Sequence, residues 1–395
     1  MTSDRLEFAG TVLRGGGTWL AERARGRGPV PDPAQGPARP EDLTPEWLTA
    51  GLCRDVPGAR VTGFALGSGS VGTSTRRALT VEYDAAGRDA GLPTAVYSKS
   101  TPSLVNRLLI GVTGAAGAEA LFYDAIRPGL DIGAPRGYFG AWDPRSTRSM
   151  VLTEDIAVER GAVFADATAL EVDRAGAESM VAEMAGYHGA LWEDPRLDRE
   201  WTALQDTWTW QRGFNVKTGF DVGALLGMRL AAEEVPGALH ARRRELRPAL
   251  MRSLELNARG PRTLLHQDVH PNNWFRLPDG SLHLYDWQAI AKGGWALDVA
   301  YALSAALTVE DRRAGERVLL ALYLERLGDA GGRPPSFDEA WRDYRRQMFH
   351  GLIFWTYTHL VGRVAPLQPD GHVRLLIRRT SQAVIDLESL GALDD

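Results

Sequence analysis

Residues 266–275 read HQDVHPNNWF, and this stretch constrains the chain more than any other. It sets two histidines, an aspartate and two asparagines beside a proline and two large aromatic residues. His266, Asp268 and His270 alternate, so in an extended segment all three would point the same way, in the manner of a metal-ligand trio. A second spacing competes with that one. Asn273 follows Asp268 by five positions, and Asp286 follows Asn273 by thirteen, at the end of the strand-like run LHLYD. A metal site, a catalytic loop and a plain polar turn are the three readings open to such a stretch.

The rest of the chain narrows the choice. Its 395 residues exceed what one compact core usually holds, which predicts two lobes or domains. A net charge of -5 argues against a generic nucleic-acid binder, whose footprint is basic. Cys53 is the only cysteine, so neither an internal disulfide nor a cysteine-based zinc site can form. The first residues lack the pattern of a signal peptide, and no apolar run is long enough to cross a bilayer, so a soluble cytoplasmic protein is expected. Only three of the 45 basic residues are lysines: Lys99, Lys217 and Lys292.

Along the chain, residues 4–25 have helical character weakened by three consecutive glycines, and 28–40 read as a Pro- and Gly-rich linker. Thr44 and Pro45 start a helix as N-cap and first residue. From 61 a strand enters a glycine loop, a second strand covers 75–83, a turn follows, and a third strand covers 94–100. A helix is predicted over 117–126 and an apolar strand over 149–156. After 165 the pattern turns helical, with helices over 180–192, 222–257, 310–328, 338–361 and 371–390. Short β-segments at 262–288 interrupt this half.

Chemistry-bearing residues fall in an informative order. Gly67, Gly69 and Gly72 spell G-x-G-x-x-G, whose backbone can approach phosphate oxygens. A dinucleotide-binding site needs a helix straight after those glycines, and TSTRRALTVEY reads as a strand instead. A strand–loop–strand flap fits better, and a plain hairpin turn is equally open. Lys99 sits in a short β-segment, where a lysine can meet phosphates as a point charge, and Glu119 on the following helix is the candidate carboxylate to hold it. The Asp268-to-Asn273 spacing equals that of the protein-kinase catalytic loop H-R-D-x-x-x-x-N. In that loop the aspartate orients a hydroxyl and the asparagine turns back to hold Mg²⁺. Asp286 is placed as a second oxygen ligand, which suits Mg²⁺. A metal-hydrolase reading would need further ligands, yet His188, His350 and His359 fall on predicted helices.

This ordered set resembles the aminoglycoside phosphotransferase and choline-kinase-like superfamily, small-molecule kinases with a protein-kinase-like fold. LLHQDVHPNNWF is similar to that family's catalytic signature and LYDWQAIAKGGWALDVAYAL to its metal-binding signature, while YHGALW and VLTEDI also resemble family segments. The resemblance implies an α+β, bilobal fold with a small β-rich N-lobe and a larger, mostly helical C-lobe. Residues 1–40 would be an extension and linker, 41–156 the nucleotide-binding N-lobe ending in a hinge, and 157–395 the C-lobe with catalytic loop, metal site and substrate pocket. It also implies ATP and Mg²⁺, with a small-molecule alcohol as acceptor and neither nucleic acid nor membrane as partner. Asp268 would be the catalytic aspartate, with Asn273 and Asp286 on Mg²⁺. Lys99, positioned by Glu119, would bind phosphates under the glycines. The backbone of Thr153, Glu154, Asp155 and Ile156 would receive adenine. His266 would brace the catalytic loop, and Asp298 would tie the next helix to it. Many relatives carry an acid two places after the metal aspartate. Here it is Gln288, and this DWQ form resembles the ecdysteroid-kinase-like branch. A catalytically inactive ATP-binding module is the alternative, and a Rossmann-type oxidoreductase a remoter one. WTWQRGF (208–214) and MFHGLIFWTYTH (348–359) could line an acceptor pocket, although aromatics at helical spacing are more often core.

Overall fold

A computed structural model describes residues 3–25, 36–71, 74–164, 172–364 and 368–395. The chain divides into two compact units. The first comprises residues 1–130 and 134–162, and the second comprises 131–133 and 163–395.

In the first unit the elements run α1 (Ser3–Arg25), α2 (Pro45–Leu52), β1 (Val61–Val71), β2 (Thr75–Tyr83), α3 (Ala85–Asp89), β3 (Ala95–Ser100), α4 (Leu104–Thr113), α5 (Ala115–Leu121), β4 (Gly137–Asp143), β5 (Arg148–Glu154) and α6 (Ile156–Arg160). The strands form one antiparallel sheet in the order β1-β2-β3-β5-β4. Thr44 caps α2 by accepting from the Trp47 backbone N–H, as its sequence predicts. The cap aims Trp47, Leu48 and Leu52 at the sheet, where they bury against Leu79, Val81, Val96, Met150 and Leu152. The three glycines at 15–17 do not stop α1, because tertiary contact outweighs their propensity. Glu22 reaches the buried Arg107 of α4 at 2.8 Å. Strand β4 had no clear sequence signal; it fills the sheet edge beside β5.

The second unit runs β6 (Val163–Phe164), α7 (Arg174–Ala190), α8 (Arg196–Arg199), α9 (Thr207–Thr218), α10 (Phe220–Leu230), α11 (Gly237–Ala241), α12 (Leu246–Arg259), β7 (Thr263–Leu265), β8 (Trp274–Arg276), β9 (Leu282–Leu284), β10 (Ala291–Gly293), α13 (Ala296–Ala306), α14 (Val309–Asp329), α15 (Phe337–Arg346), α16 (Phe349–Gly362), α17 (Asp370–Asp386) and α18 (Ser389–Ala392). Two expected long helices are broken. Pro236 divides the 222–257 span, since proline lacks the N–H a helix interior needs. The 338–361 span breaks at Gln347 and Met348, where the buried Gln347 side chain donates to the Ser253 carbonyl instead. Helix α13 is buried along its whole length and sits among its helical neighbours as the axis of the unit.

Helices α10 and α16 pack close enough to require glycine. A Cβ on Gly227 would lie 1.7 Å from the Thr356 carbonyl oxygen, a backbone atom that cannot swing away. Gly227→Ala must therefore push the two helices apart. It is expected to lower the unfolding free energy by roughly 1–3 kcal/mol, read as a shift in the urea midpoint. An unchanged midpoint would contradict this packing.

Candidate active site

Strand β7 ends at Leu265, and the chain then turns sharply: Gln267 adopts φ 62°, a left-handed conformation costly for a residue with a side chain. A buried carboxylate holds the turn. Asp298 Oδ2 accepts from the His266 backbone N–H at 2.7 Å, and Oδ1 from that of Gln267 at 2.9 Å. The Tyr187 hydroxyl adds a third donor to Oδ2 at 2.8 Å, and His188 Nε2 lies 3.4 Å away. Burial alone would raise the Asp298 pKa, but His188, His266 and the backbone donors outweigh it and hold the carboxyl below its ordinary value. The charge is thus kept inside the unit, next to the two residues that precede Asp268.

His266 spends both ring nitrogens on the loop. Nδ1 accepts from the Asp268 backbone N–H at 3.2 Å, which leaves the proton on Nε2 to donate to the Tyr285 carbonyl at 3.0 Å. A ring committed in this way is not a metal ligand. Nor is His270: its Nδ1 accepts from the Asn272 N–H at 3.2 Å, and its Nε2 lies 3.5 Å from Asp268 Oδ1. Among the described residues no group of three or more His, Cys, Asp or Glu side chains forms a cation cage. The alternation that made His266, Asp268 and His270 conspicuous therefore serves the loop rather than a metal.

The other spacing closes in space. Asn273 Nδ2 donates to the Asp268 carbonyl at 2.7 Å and to Asp268 Oδ2 at 3.0 Å. Asp268 is partly exposed while Asn273 is buried, so the carboxylate is clamped from behind and open in front. The Asn273 amide uses its nitrogen on Asp268, and its oxygen remains as an acceptor. Asp286 is brought alongside by the β8–β9 pairing and by the Tyr285 N–H, which donates to the Asn273 carbonyl at 3.0 Å. Asp286 itself adopts φ 65°, at the start of a 3₁₀ turn over Trp287–Ala289 that includes Gln288. An amide oxygen and a carboxylate are hard oxygen donors, and this set fits Mg²⁺.

In the first unit, Lys99 on β3 and Glu119 on α5 meet at 2.8 Å, both largely buried. Gly67 and Gly69 lie within β1 rather than in a loop, and Gly72 is outside the described residues. The register shifts between Leu66 and Gly69, and a Cβ on Gly69 would come within 2.2 Å of the Arg76 carbonyl oxygen. That glycine permits close strand pairing. Thr153 and Glu154 end β5, Asp155 caps α6 by accepting from the Val158 N–H, and Ile156 opens that helix. Glu154 is committed to Arg160 and to the Arg136 N–H, so its side chain holds the strand end in place.

Comparison with solved structures decides the fold. A Ralstonia eutropha protein, described as a candidate aminoglycoside phosphotransferase, superimposes with a TM-score of 0.51 at 14% identity, over 86% of this chain and 97% of that one. The chain has the aminoglycoside-phosphotransferase-like, bilobal α+β fold. Weaker superpositions include the choline kinase LicA from Streptococcus pneumoniae (TM-score 0.40, 15% identity, 87% of this chain and 98% of that one). A macrolide 2'-phosphotransferase from Brachybacterium faecium gives a TM-score of 0.40 at 13% identity, over 86% of this chain and 98% of that one. No family model and no curated protein sequence matches the chain. Among the described residues no helix is long and apolar enough to cross a membrane.

Several residues of this site lie far from the loop in sequence. Tyr187 and His188 lie about 80 residues before the loop and His350 about 80 after it, so only folding brings them to Asp298 and Gln267. Burial holds His188, His266 and His350 below the ordinary histidine pKa of about 6.5, against the opposing pull of Asp298 and other partners. They are neutral in the folded chain but take up protons in the unfolded chain once pH falls below that ordinary value. Stability is therefore full above about pH 6.5 and declines as pH falls toward the lower, folded pKa values. Urea titrations should show the unfolding free energy dropping between about pH 7 and pH 5. A flat profile over that interval would refute the neutral assignment.

Proposed function

We propose that the chain is an ATP-dependent phosphotransferase that moves the γ-phosphate to a hydroxyl of a small molecule. The observation that carries this reading is the Asp268–Asn273 clamp: a partly exposed carboxylate held on its main-chain and side-chain oxygens by one amide. Such a carboxylate can accept the hydrogen bond of an incoming alcohol and fix the direction of its oxygen. The fold shared with the Ralstonia protein supports the same reading.

The reaction assigned to the site balances simply. The acceptor oxygen bonds to the γ-phosphorus, the bond from that phosphorus to the β,γ-bridging oxygen breaks, ADP leaves, and the hydroxyl proton passes to Asp268. Asn273 and Asp286 are the residues that would hold Mg²⁺, which supplies charge neutralisation on the phosphates. Asp268 orients the hydroxyl and receives its proton. Lys99, fixed by Glu119, contributes a buried positive charge suited to phosphate oxygens. The backbone at 153–156 is the proposed adenine contact. Asp298 and His266 touch no substrate; they hold the Gln267 turn, and hence Asp268, in place. Catalysis on this reading is mostly positioning and charge stabilisation.

Asp268→Asn keeps the shape and the Asn273 contact to the main chain but removes the proton acceptor. It is expected to lower turnover by roughly 10²–10⁴-fold, with melting temperature and ATP affinity nearly unchanged. ATP with Mg²⁺ should raise the melting temperature of both forms, whereas NAD should not. Wild-type turnover in the Asp268→Asn variant, or no response to ATP, would sink the proposal.

A further inference from the structure

Helix α10 turns two faces to different surroundings. Gly223, Ala224, Gly227 and Met228 are buried, and the two glycines lie against Thr356, Tyr357 and Leu360 of α16. The other face carries the four exposed residues of the helix, Val222, Leu226, Arg229 and Leu230. A surface helix normally turns charged and polar side chains outward. Here three of the four are aliphatic, with 57%, 43% and 46% of Val222, Leu226 and Leu230 exposed. They recur every fourth residue, so they share one side of the helix and form a ridge. Single apolar residues scattered over a surface need no explanation, but a contiguous ridge is the pattern of an interaction site.

The charges around the ridge say what covers it. Lys217 lies on the last turn of α9, two residues before the Gly219 turn into α10, and the exposed Glu233 lies three residues after α10 ends. Opposite charges therefore stand at the two ends of the ridge in the chain. Among the described residues neither Lys217 nor Glu233 has an ionic partner. Farther along, Arg242 and Arg247 are already paired with Glu245 and Asp221.

Two copies of α10 can lie side by side in two directions. In a parallel pair Lys217, Arg229 and Glu233 each face their own counterpart, and every contact sets like charges together. In an antiparallel pair centred on Leu226, Val222 faces Leu230 of the second copy, and Lys217 approaches its Glu233. The positions agree with that centre: Val222 and Leu230 are each four residues from Leu226, while Lys217 lies nine before it and Glu233 seven after it. The two Arg229 side chains then fall on opposite sides of the centre. The pattern is self-complementary, as a two-fold homodimer requires. An anionic membrane surface fits less well, because it calls for cations at both ends of the ridge and one end carries Glu233.

We propose that α10 is a homodimer contact: the Val222–Leu226–Leu230 ridge packs antiparallel on the same ridge of a second copy, with Lys217 and Glu233 paired across the two-fold axis. A helix of 11 residues is about 16 Å long, so the contact is small. Small interfaces give weak association that depends on concentration. The pairing is independent of the phosphotransferase reading, since no residue of that site takes part in it.

The test is sedimentation velocity of the full chain over a concentration series, with wild type, Leu226→Arg, Glu233→Lys and the double exchange Lys217→Glu/Glu233→Lys, each checked by thermal melting. Wild type is expected to pass from monomer to dimer as concentration rises. Leu226→Arg sets two cations against each other on the axis and should weaken association roughly a hundredfold or more. Glu233→Lys should weaken it roughly tenfold, because the ion pair occurs twice in the dimer, and the exchange should restore it. Leu226→Cys should give a disulfide-linked dimer on mild oxidation, since a residue meets its own counterpart on a two-fold axis and Cys53, the only native cysteine, is buried.

A wild-type chain that stays monomeric at its highest soluble concentration overturns the proposal. A dimer that survives Leu226→Arg overturns it too, because the contact then lies elsewhere. A dimer indifferent to both Glu233→Lys and the exchange rules out the antiparallel pairing. Vesicles containing phosphatidylserine supply the last arm: a monomeric chain that binds them through Leu226 makes the ridge a lipid contact and removes the second copy as its occupant.

Discussion

One buried charge organises the second unit. Asp298 lies on a helix that is itself buried, far from solvent, and would be intolerable there without donors. It has three, and two of them are consecutive backbone N–H groups of the loop that follows β7. Hydrogen bonds to a charged group are worth roughly 1.5–3 kcal/mol each, which suffices to hold Gln267 in a conformation it would not choose alone. The strained turn in turn presents Asp268 toward solvent, with Asn273 behind it. The strength of the anchor and the exposure of the Asp268 carboxylate are two ends of one arrangement.

Around that anchor the histidines serve as fixed neutral hydrogen-bonding rings. His266 bridges the Asp268 N–H and the Tyr285 carbonyl, so it couples the Asp268 loop to the segment between β9 and the 3₁₀ turn that contains Asp286. His350 supports the same loop from α16 through the Gln267 carbonyl. Each ring has its tautomer set by an atom that can only donate or only accept. This is why the histidine-rich stretch looks like a metal site in sequence and does not act as one in structure: the ring nitrogens are already used.

Much of this was legible beforehand because it depends on local spacing. Asp268, Asn273 and Asp286 sit within one loop and hairpin, so five and thirteen residues suffice to predict their meeting. Lys99 and Glu119 were readable for a similar reason: a strand and the helix after it can place two side chains together within 20 residues. The Thr44 cap of α2 is local as well. The glycines were harder, since G-x-G-x-x-G specifies backbone freedom but not its use. In β1, Gly69 uses that freedom to pass close to Arg76. The broken helices were missed because their breaks depend on Pro236 in one case and on a distant carbonyl at Ser253 in the other.

The sequence by itself determined the chemistry available: a lysine–glutamate pair, an aspartate and asparagine at kinase-loop spacing, and a downstream aspartate. These are short-range facts, fixed by the chain's own geometry over one loop or one strand–helix step. Only the tertiary structure decided that the histidines of the loop are braces rather than ligands, and which aromatic residues stack on one another between helices. Those distinctions depend on contacts among α7, α9, α13 and α16, such as Tyr187 with Asp298 and Phe214 with Phe354, which lie 111 and 140 residues apart, and no local spacing encodes them.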